Sequence, residues 1–221
     1  MPELRAAIIP VTPLQQNCTL VWDEETKAAM VIDPGGDVPK IMEAIESLNL
    51  KVERILLTHG HIDHAGGAAA LREALPGVPL HGPDERDAFL LDGLAKSGAE
   101  YGLVDARPVR PDAWLTEGDE VVLGEHRFEV RHCPGHTPGH VVFIHHAAGV
   151  ALVGDVLFRG SVGRTDFIPY GDTDALLRSI RDKLMTLPDT TAFVCGHGPG
   201  STIGAERASN PYVAEALALP A

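Results

Sequence analysis

Three histidines and an aspartate fall within six positions in the stretch Thr58-His59-Gly60-His61-Ile62-Asp63-His64. All four are metal-ligand types, imidazoles and a carboxylate of the kind that hold zinc, iron or manganese. At a turn, His59 and His61 point to one side, and Asp63 and His64 then enter a helix and converge on a neighbouring point. One ion rarely takes four ligands from so short a loop. The spacing fits two adjacent ions better, each completed by side chains from later in the chain. A lone histidine at a strand end would read as a polar turn, but this density reads as a metal or catalytic site.

Three later motifs offer what such a pair of ions lacks. They are His132-Cys133-Pro134-Gly135-His136-Thr137-Pro138-Gly139-His140, then Val153-Gly154-Asp155-Val156-Leu157-Phe158, then Cys195-Gly196-His197-Gly198-Pro199. Each follows an apolar run and sets a ligand-type side chain in a Gly- or Pro-containing loop that can bend back towards a site. Alone, each reads as an ordinary turn. Together they supply one bridging carboxylate and two further imidazoles.

The elements that must position these loops follow from periodicity. Val52 to Leu57 reads as a buried strand and Ala65 to Leu71 as a helix start, so the His-rich loop joins a strand end to a helix, where α/β proteins place ligands. Upstream, Arg5–Pro13, Asn17–Asp23 and Ala28–Asp33 read as strands, the second with Cys18, Leu20 and Trp22 on one face. Asp33-Pro34-Gly35-Gly36 is a turn, and Asp37 caps a helix that buries Ile41, Met42, Ile45 and Leu48. Asp33 points at the same end of the sheet and reads either as a partner of a ligand histidine or as a turn residue.

Val78–Leu80 is a short strand, while 81–114 mixes a helical pattern (84–94) with loop and reads as a cleft lid or a decoration of the sheet edge. Two hairpins follow, 119–124 with 127–132 and 141–144 with 150–153. Asp172 caps a helix to Leu187 with Leu176, Leu177, Ile180 and Leu184 inward; 192–195 is a last strand, and a short helix from Thr202 stops at Asn210-Pro211. Two batches of strands, each followed by helices, predict an α/β fold: an αβ/βα four-layer sandwich of two mixed β-sheets with outer helices, one domain over residues 1–221.

The 221 residues carry a net charge of −13, with 44% hydrophobic and 22% charged residues. That surface disfavours nucleic acid and anionic membranes but leaves room for a small anionic substrate in a locally positive, metal-filled cleft. Cys18, Cys133 and Cys195 are widely spaced and odd in number, which predicts free thiols and a reducing compartment. No signal peptide opens the chain and no apolar run reaches membrane length, so a cytoplasmic protein is expected, monomeric or a small homo-oligomer.

The four motifs T-H-G-H-I-D-H, P-G-H-T-P-G-H, G-D-V-L-F and G-H-G-P, in this order, resemble the metallo-β-lactamase fold superfamily over most of the sequence. H-C-P-G-H-T-P-G-H-V-V-F, G-R-T-D-F and the opening I-I-P-V-T-P-L-Q-Q-N-C look most like the small, YcbL-type branch of its glyoxalase II (hydroxyacylglutathione hydrolase) group. The resemblance implies one metal held by His59, His61 and His136 and a second held by Asp63, His64 and His197, with Asp155 bridging. His140 is then not a ligand, and packing or support of a ligand is its expected role. The implied cofactors are two divalent ions, zinc first, with iron or manganese as alternatives. The implied activity is hydrolysis of 2-hydroxyacyl-glutathione thioesters, S-lactoylglutathione foremost. Two such ions make hydroxide available at about neutral pH and polarise a carbonyl. Asp63 is the catalytic candidate, able to take a proton as well as ligate, and a thiolate leaving group needs little acid help.

Two departures qualify the resemblance. The sequence ends soon after His197, without room for the C-terminal helical domain with which two-domain members bind glutathione. Arg164 and Asp166 fall where those members carry a lysine and a tyrosine that contact the thiol. Arg164 reads as a substrate-binding donor to a glutathione carboxylate, with a loop ion pair to Asp166 as the alternative. G-R-T-D-F also resembles the persulfide dioxygenases of the superfamily, which use one iron held by two His and one Asp, so oxidation of glutathione persulfide is the rival activity.

Overall fold

The computed structural model describes residues 3–220. Its first five strands are β1 (Leu4–Val11), β2 (Gln16–Asp23), β3 (Ala28–Ile32), β4 (Lys51–Leu56) and β5 (Leu80–His81), hydrogen-bonded in that order. The first three are antiparallel; β3, β4 and β5 run parallel. A second sheet takes the order β13-β12-β9-β8-β7-β6, from β6 (Glu120–Leu123), β7 (His126–His132), β8 (Val141–His145), β9 (Val150–Gly154), β12 (Ala192–Cys195) and β13 (Ser201–Thr202). Within it only β9 and β12 are parallel. β10 (Leu157–Phe158) and β11 (Ser161–Val162) form a separate ribbon. The α/β sandwich of two mixed sheets expected from the sequence is the fold observed.

Alternation along the strands sorts side chains into three apolar layers. Cys18, Leu20 and Trp22 of β2 pack outward with Ile41 and Ile45 of α1 (Val38–Ser47) and Leu71 of α3 (Ala68–Ala74). Val21, Met30, Ile32, Phe128, Val141 and Phe143 meet between the two sheets. Val142, Ile144 and Val153 pack on Leu176, Leu177 and Ile180, from α6 (Thr173–Ser179) and the π-helical turn Ile180–Leu184 that continues it. Every residue of β2 is buried, Gln16 and Asn17 included, so these two amides need internal partners.

Several local expectations are refined. The helix after the His-rich loop is two pieces, α2 (Ile62–Ala65) and α3, broken at Gly66-Gly67, a poor helix-forming pair. Asp37 does not cap α1 with its side chain. It sits at φ 47°, Pro39 removes the amide of the second helical position, and the carboxylate instead accepts from Thr12 N at 2.8 Å. Asp172 does cap α6, accepting from Ala175 N at 2.9 Å. The Asn210-Pro211 stop after α7 (Ile203–Ser209) also starts α8 (Pro211–Ala218): Asn210 caps it and Pro211 fits its first turn. The stretch 81–114 folds into a 3-10 turn (Glu85–Asp87), α4 (Ala88–Asp92) and α5 (Leu94–Tyr101), and its end is fixed to the edge of the first sheet by a His81–Ala113 bridge.

A buried polar chain joins the two sheets. Ala148 N donates to His145 Nδ1 at 2.9 Å, which puts the His145 proton on Nε2, 3.2 Å from His126 Nδ1. The remaining His126 nitrogen lies 3.4 Å from the Asp23 carboxylate at the end of β2. Burial, then the neighbouring His126, hold the His145 pKa below its ordinary 6.5. The unfolded chain therefore takes up a proton that the fold refuses. The contribution is fully present above pH 6.5 and is lost as pH falls through the lowered folded value. Melting temperature should then fall less steeply from about pH 7 to about pH 5 in His145→Gln than in wild type. Equal slopes in the two proteins would refute the assignment.

Candidate metal centre

The loops after β4, β9 and β12 and the β7–β8 connection meet at one edge of the sandwich. His59, His61 and His136 form one group whose facing atoms lie within 4.8 Å of one another; Asp63, His64 and His197 form another. Asp155 faces both: its Oδ1 is 3.3 Å from His64 Nε2, and its Oδ2 is 3.5 Å from His136 Nε2 and 3.7 Å from His197 Nε2. Asp63 Oδ2 is 3.1 Å from His197 Nε2 and 3.9 Å from His64 Nε2. All seven residues singled out in the sequence as ligands are thus brought together.

Each imidazole is oriented through its outer nitrogen. Asp33 accepts from Thr58 N and Thr58 Oγ1, both at 2.7 Å, which leaves Oγ1 free to accept from His59 Nδ1 at 3.0 Å. His64 Nδ1 donates to Asp33 Oδ2 at 2.9 Å, His136 Nδ1 to the Arg164 carbonyl at 2.7 Å, and His197 Nδ1 to the Leu14 carbonyl at 3.2 Å. His61 Nε2 meets the Tyr170 hydroxyl at 3.0 Å. These bonds place a proton on the outer nitrogen of His59, His64, His136 and His197 and aim their Nε2 atoms inward, while the Tyr170 hydroxyl can donate to His61 or accept from it. Inside, His61 Nδ1 stands 3.1 Å from His59 Nε2 and 2.9 Å from His136 Nε2.

Such an arrangement needs cations. His64 Nε2 and Asp155 Oδ1 are buried with no hydrogen-bond partner in the protein, which is costly for a nitrogen and worse for a charged oxygen. Burial strips protons from the first group: the His61 pKa is pushed down to about 3 by burial and then by His136, and those of His59 and His136 are lowered by burial above all. In the second group burial also opposes the charge on His64, but Asp155, Asp63 and Asp33 outweigh it and raise its pKa well above the ordinary value. Burial alone would raise Asp155, yet His64, His136 and His197 hold it far below the carboxylate range. Neutral imidazoles on one side and ionised carboxylates on the other are what divalent cations require, so the residues fit a metal centre.

The structure answers what the sequence left open around the centre. Asp33 binds Thr58 and His64 and is no mere turn residue. His140 Nε2 accepts from Asp155 N at 3.0 Å, and its ring stacks on His59 at 4.7 Å, so it supports both while pointing elsewhere. Gly154 permits that contact: at φ 48°, a Cβ there would lie 2.7 Å from the His140 ring. Arg164 forms the ion pair with Asp166, at 2.9 and 2.8 Å, and lies 5.2 Å over Phe167.

Sequence reasoning missed Tyr170 and the clamp from the start of β2. Asn17 Nδ2 donates to the Cys195 and Gly198 carbonyls at 2.9 and 2.8 Å, holding the His197 loop. Polar residues in a wholly buried strand were the available signal. The centre opens into a cleft of about 610 Å³, within the usual range for small-molecule sites, walled by Leu90, Ser97, Glu100 and Tyr101 of the 81–114 stretch and by Phe167, Tyr170 and Arg164 opposite. No helix among the described residues is long and apolar enough to cross a membrane.

Comparison with known proteins agrees with this geometry. The family model of the metallo-beta-lactamase superfamily matches residues 11–197. A hydroxyacylglutathione hydrolase, GloC, of Haemophilus influenzae is 47% identical over 93% of this chain and 96% of its own. Among solved structures, the BLEG-1 B3 metallo-beta-lactamase superposes with a TM-score of 0.86 at 34% identity, covering 95% of this chain and 99% of that one. TTHA1623 in a di-iron-bound form superposes with a TM-score of 0.84 at 39% identity, covering 93% and 99%.

Removing metal should leave the inward lone pairs and carboxylates without their cations. An ion at about 100 times its Kd stabilises the fold by about 2.7 kcal/mol, so stripping the protein with a chelator should lower the melting temperature by roughly 5–10 °C, reversibly on adding a divalent ion. Scanning calorimetry with metal analysis checks this. An unchanged melting temperature in metal-free protein would contradict it.

Proposed function

The chain belongs to the metallo-β-lactamase superfamily and is a hydrolase, and on that premise we propose that it cleaves glutathione thioesters, S-lactoylglutathione foremost, to the hydroxy acid and glutathione. The observation that carries the reading is Asp155, a buried carboxylate aimed at both His groups at once. The 47% identity with a hydroxyacylglutathione hydrolase directs it to this substrate class. In this reading residues 1–221 act as one catalytic domain. His59, His61 and His136 would hold one divalent ion and Asp63, His64 and His197 a second, with Asp155, which faces both groups, serving both. We read the ions as zinc first, with iron or manganese as alternatives.

When bound, a divalent pair supplies hydroxide at neutral pH and Lewis acidity towards an acyl carbonyl. The protein's own part is orientation and proton handling. Burial would raise the Asp63 pKa, but the charge on His64 and the contact with His197 keep it below the usual carboxylate value, so it is ionised and able to accept a proton. Tyr170 and the Arg164 carbonyl fix the rings of His61 and His136 beside the substrate. The Arg164 side chain lines the cleft and offers a glutathione carboxylate a charge-assisted bond in exchange for its exposed pair with Asp166, a pair of the kind worth little in water.

Protein purified without chelator is expected to carry divalent metal and to turn over S-lactoylglutathione. Arg164→Ala keeps the carbonyl that orients His136, so it isolates the side chain; losing one charge-assisted bond costs about 1.5–3 kcal/mol, which raises KM by roughly ten- to a hundredfold with kcat little changed. An unchanged kcat/KM would make Arg164 a loop residue. Oxygen uptake with glutathione persulfide, in place of thioester hydrolysis, would favour the iron dioxygenase that G-R-T-D-F also resembles. Turnover of a chromogenic β-lactam alone would move the substrate class.

The two histidines of the P-G-H-T-P-G-H loop should separate by severity. His136→Ala should lose metal or activity by several orders of magnitude, and His140→Ala by about 10–100-fold, the usual cost of removing a ligand's support. Metal titration of both variants checks the order, and a more damaging His140→Ala would overturn the ligand register.

A further inference from the structure

Asp87, at the end of the 3-10 turn Glu85–Asp87, is a fully buried carboxylate outside both His groups. Its oxygens accept from Gly60 N at 2.9 Å, Thr137 Oγ1 at 2.7 Å and Gly139 N at 2.6 Å. Gly60 lies between His59 and His61, Thr137 follows His136, and Gly139 precedes His140. One side chain thus joins the loop after β4 of the first sheet to the β7–β8 connection of the second. Burial pushes its pKa up to about 6. A carboxylate placed at such cost, among backbone amides and a hydroxyl, is held there by the bonds it makes.

The surrounding packing is close. A Cβ on Gly60 would stand 2.7 Å from Leu90 Cβ, and one on Gly139 would stand 2.6 Å from Asp84 O and from Asp87 N. Asp84 N adds a bond to the Gly139 carbonyl at 3.0 Å. The turn and α4 are therefore seated directly on the backbones of both loops. The two loops also meet inside the group, where His61 Nδ1 lies 2.9 Å from His136 Nε2.

We propose that Asp87 is a positioning residue that sets the spacing of the His59/His61 loop against the His136 loop, and with it the divalent-ion affinity of that group. The same residue fixes the substrate wall, because Phe89 and Leu90 follow it directly in α4 and Leu90 lines the cleft. The inference rests on the ligand assignment proposed above.

The test is metal titration of full-length wild type, Asp87→Ala, Asp87→Asn and Thr137→Val against a competing chelator, with melting of the metal-free proteins and kcat and KM at saturating metal. Wild type should bind two ions. Asp87→Ala should bind one of them about 10–100-fold more weakly, the range for losing a ligand's support, and retain the other. Asp87→Asn, which keeps one acceptor oxygen, should fall between, and Thr137→Val should weaken the same ion by a smaller factor. With metal saturating, kcat should stay depressed in Asp87→Ala. A purely structural role would lower the metal-free melting temperature and leave affinity and kcat at wild-type values, and that result overturns the proposal. If Asp87→Ala does not fold, Asp87→Asn and Thr137→Val decide by the same criterion. Failure of wild type itself to bind an ion at His59, His61 and His136 would instead overturn the ligand assignment.

Discussion

Five imidazoles and two carboxylates converge on one buried edge of this sandwich, and their own contacts leave His64 Nε2 and Asp155 Oδ1 unsatisfied. Everything around them answers that constraint. Each ring is turned inward because its other nitrogen is engaged outside, by Thr58, Tyr170, Asp33, the Arg164 carbonyl or the Leu14 carbonyl. A folded chain that aims so much electron density at one point is a chain built around cations.

The fold meets the constraint by dividing the ligands between two sheets. The loop after β4 brings His59, His61, Asp63 and His64 from the first; the β7–β8 connection and the ends of β9 and β12 bring His136, Asp155 and His197 from the second. The apolar layer between the sheets fixes their separation but is indifferent to sliding. Polar bonds at the edge set the register: Asn17 to the Cys195 and Gly198 carbonyls, Val141 N to the Thr58 carbonyl at 2.8 Å, and Asp87 to both loops. These are directional and buried, so a small displacement leaves a polar group unpaired.

That division explains what could be read from the sequence. Strand alternation and the Gly/Pro punctuation after each strand are local signals, so the sandwich and the four motifs were legible, while the choice of the seven side chains, His136 over His140 among them, came from the family resemblance. Asp37 was misread because its pattern suits a cap, while Pro39 withdraws the amide a cap would serve. The helix after Pro211 was missed because proline marks a stop and a start equally. Asp87 and Tyr170 were invisible for a different reason. Their partners lie far away in sequence, 27 to 52 residues for Asp87 and 109 for Tyr170, in segments without periodicity. Within 81–114 only the short helical pattern of 84–94 was legible, and it gives no sign of the long-range bonds Asp87 makes to the two ligand loops.

The same charges govern substrate recognition. The protein carries a net charge of −13, and its cleft is lined by Asp63, Asp155 and Glu100 against Arg164, already paired with Asp166. Such a cleft would repel an anionic ligand at close range, where screening by salt is weakest. Divalent ions held by these residues would reverse that sign at the one place where it matters. In this arrangement the groups that supply reactivity also supply the attraction, so binding and chemistry cannot be separated by loss of metal. The apolar walls from Leu90, Phe167 and Tyr170 contribute area without charge. Under the proposed thioester hydrolysis, selectivity among acyl and thiol groups then falls to the shape of the walls, next to Asp87 on one side and along the Arg164–Tyr170 loop on the other. Both are tied to the ligand loops through backbone groups, Gly60 N and Gly139 N on one side and the Arg164 carbonyl on the other, so the walls and the centre share a frame while the wall side chains stay free to vary.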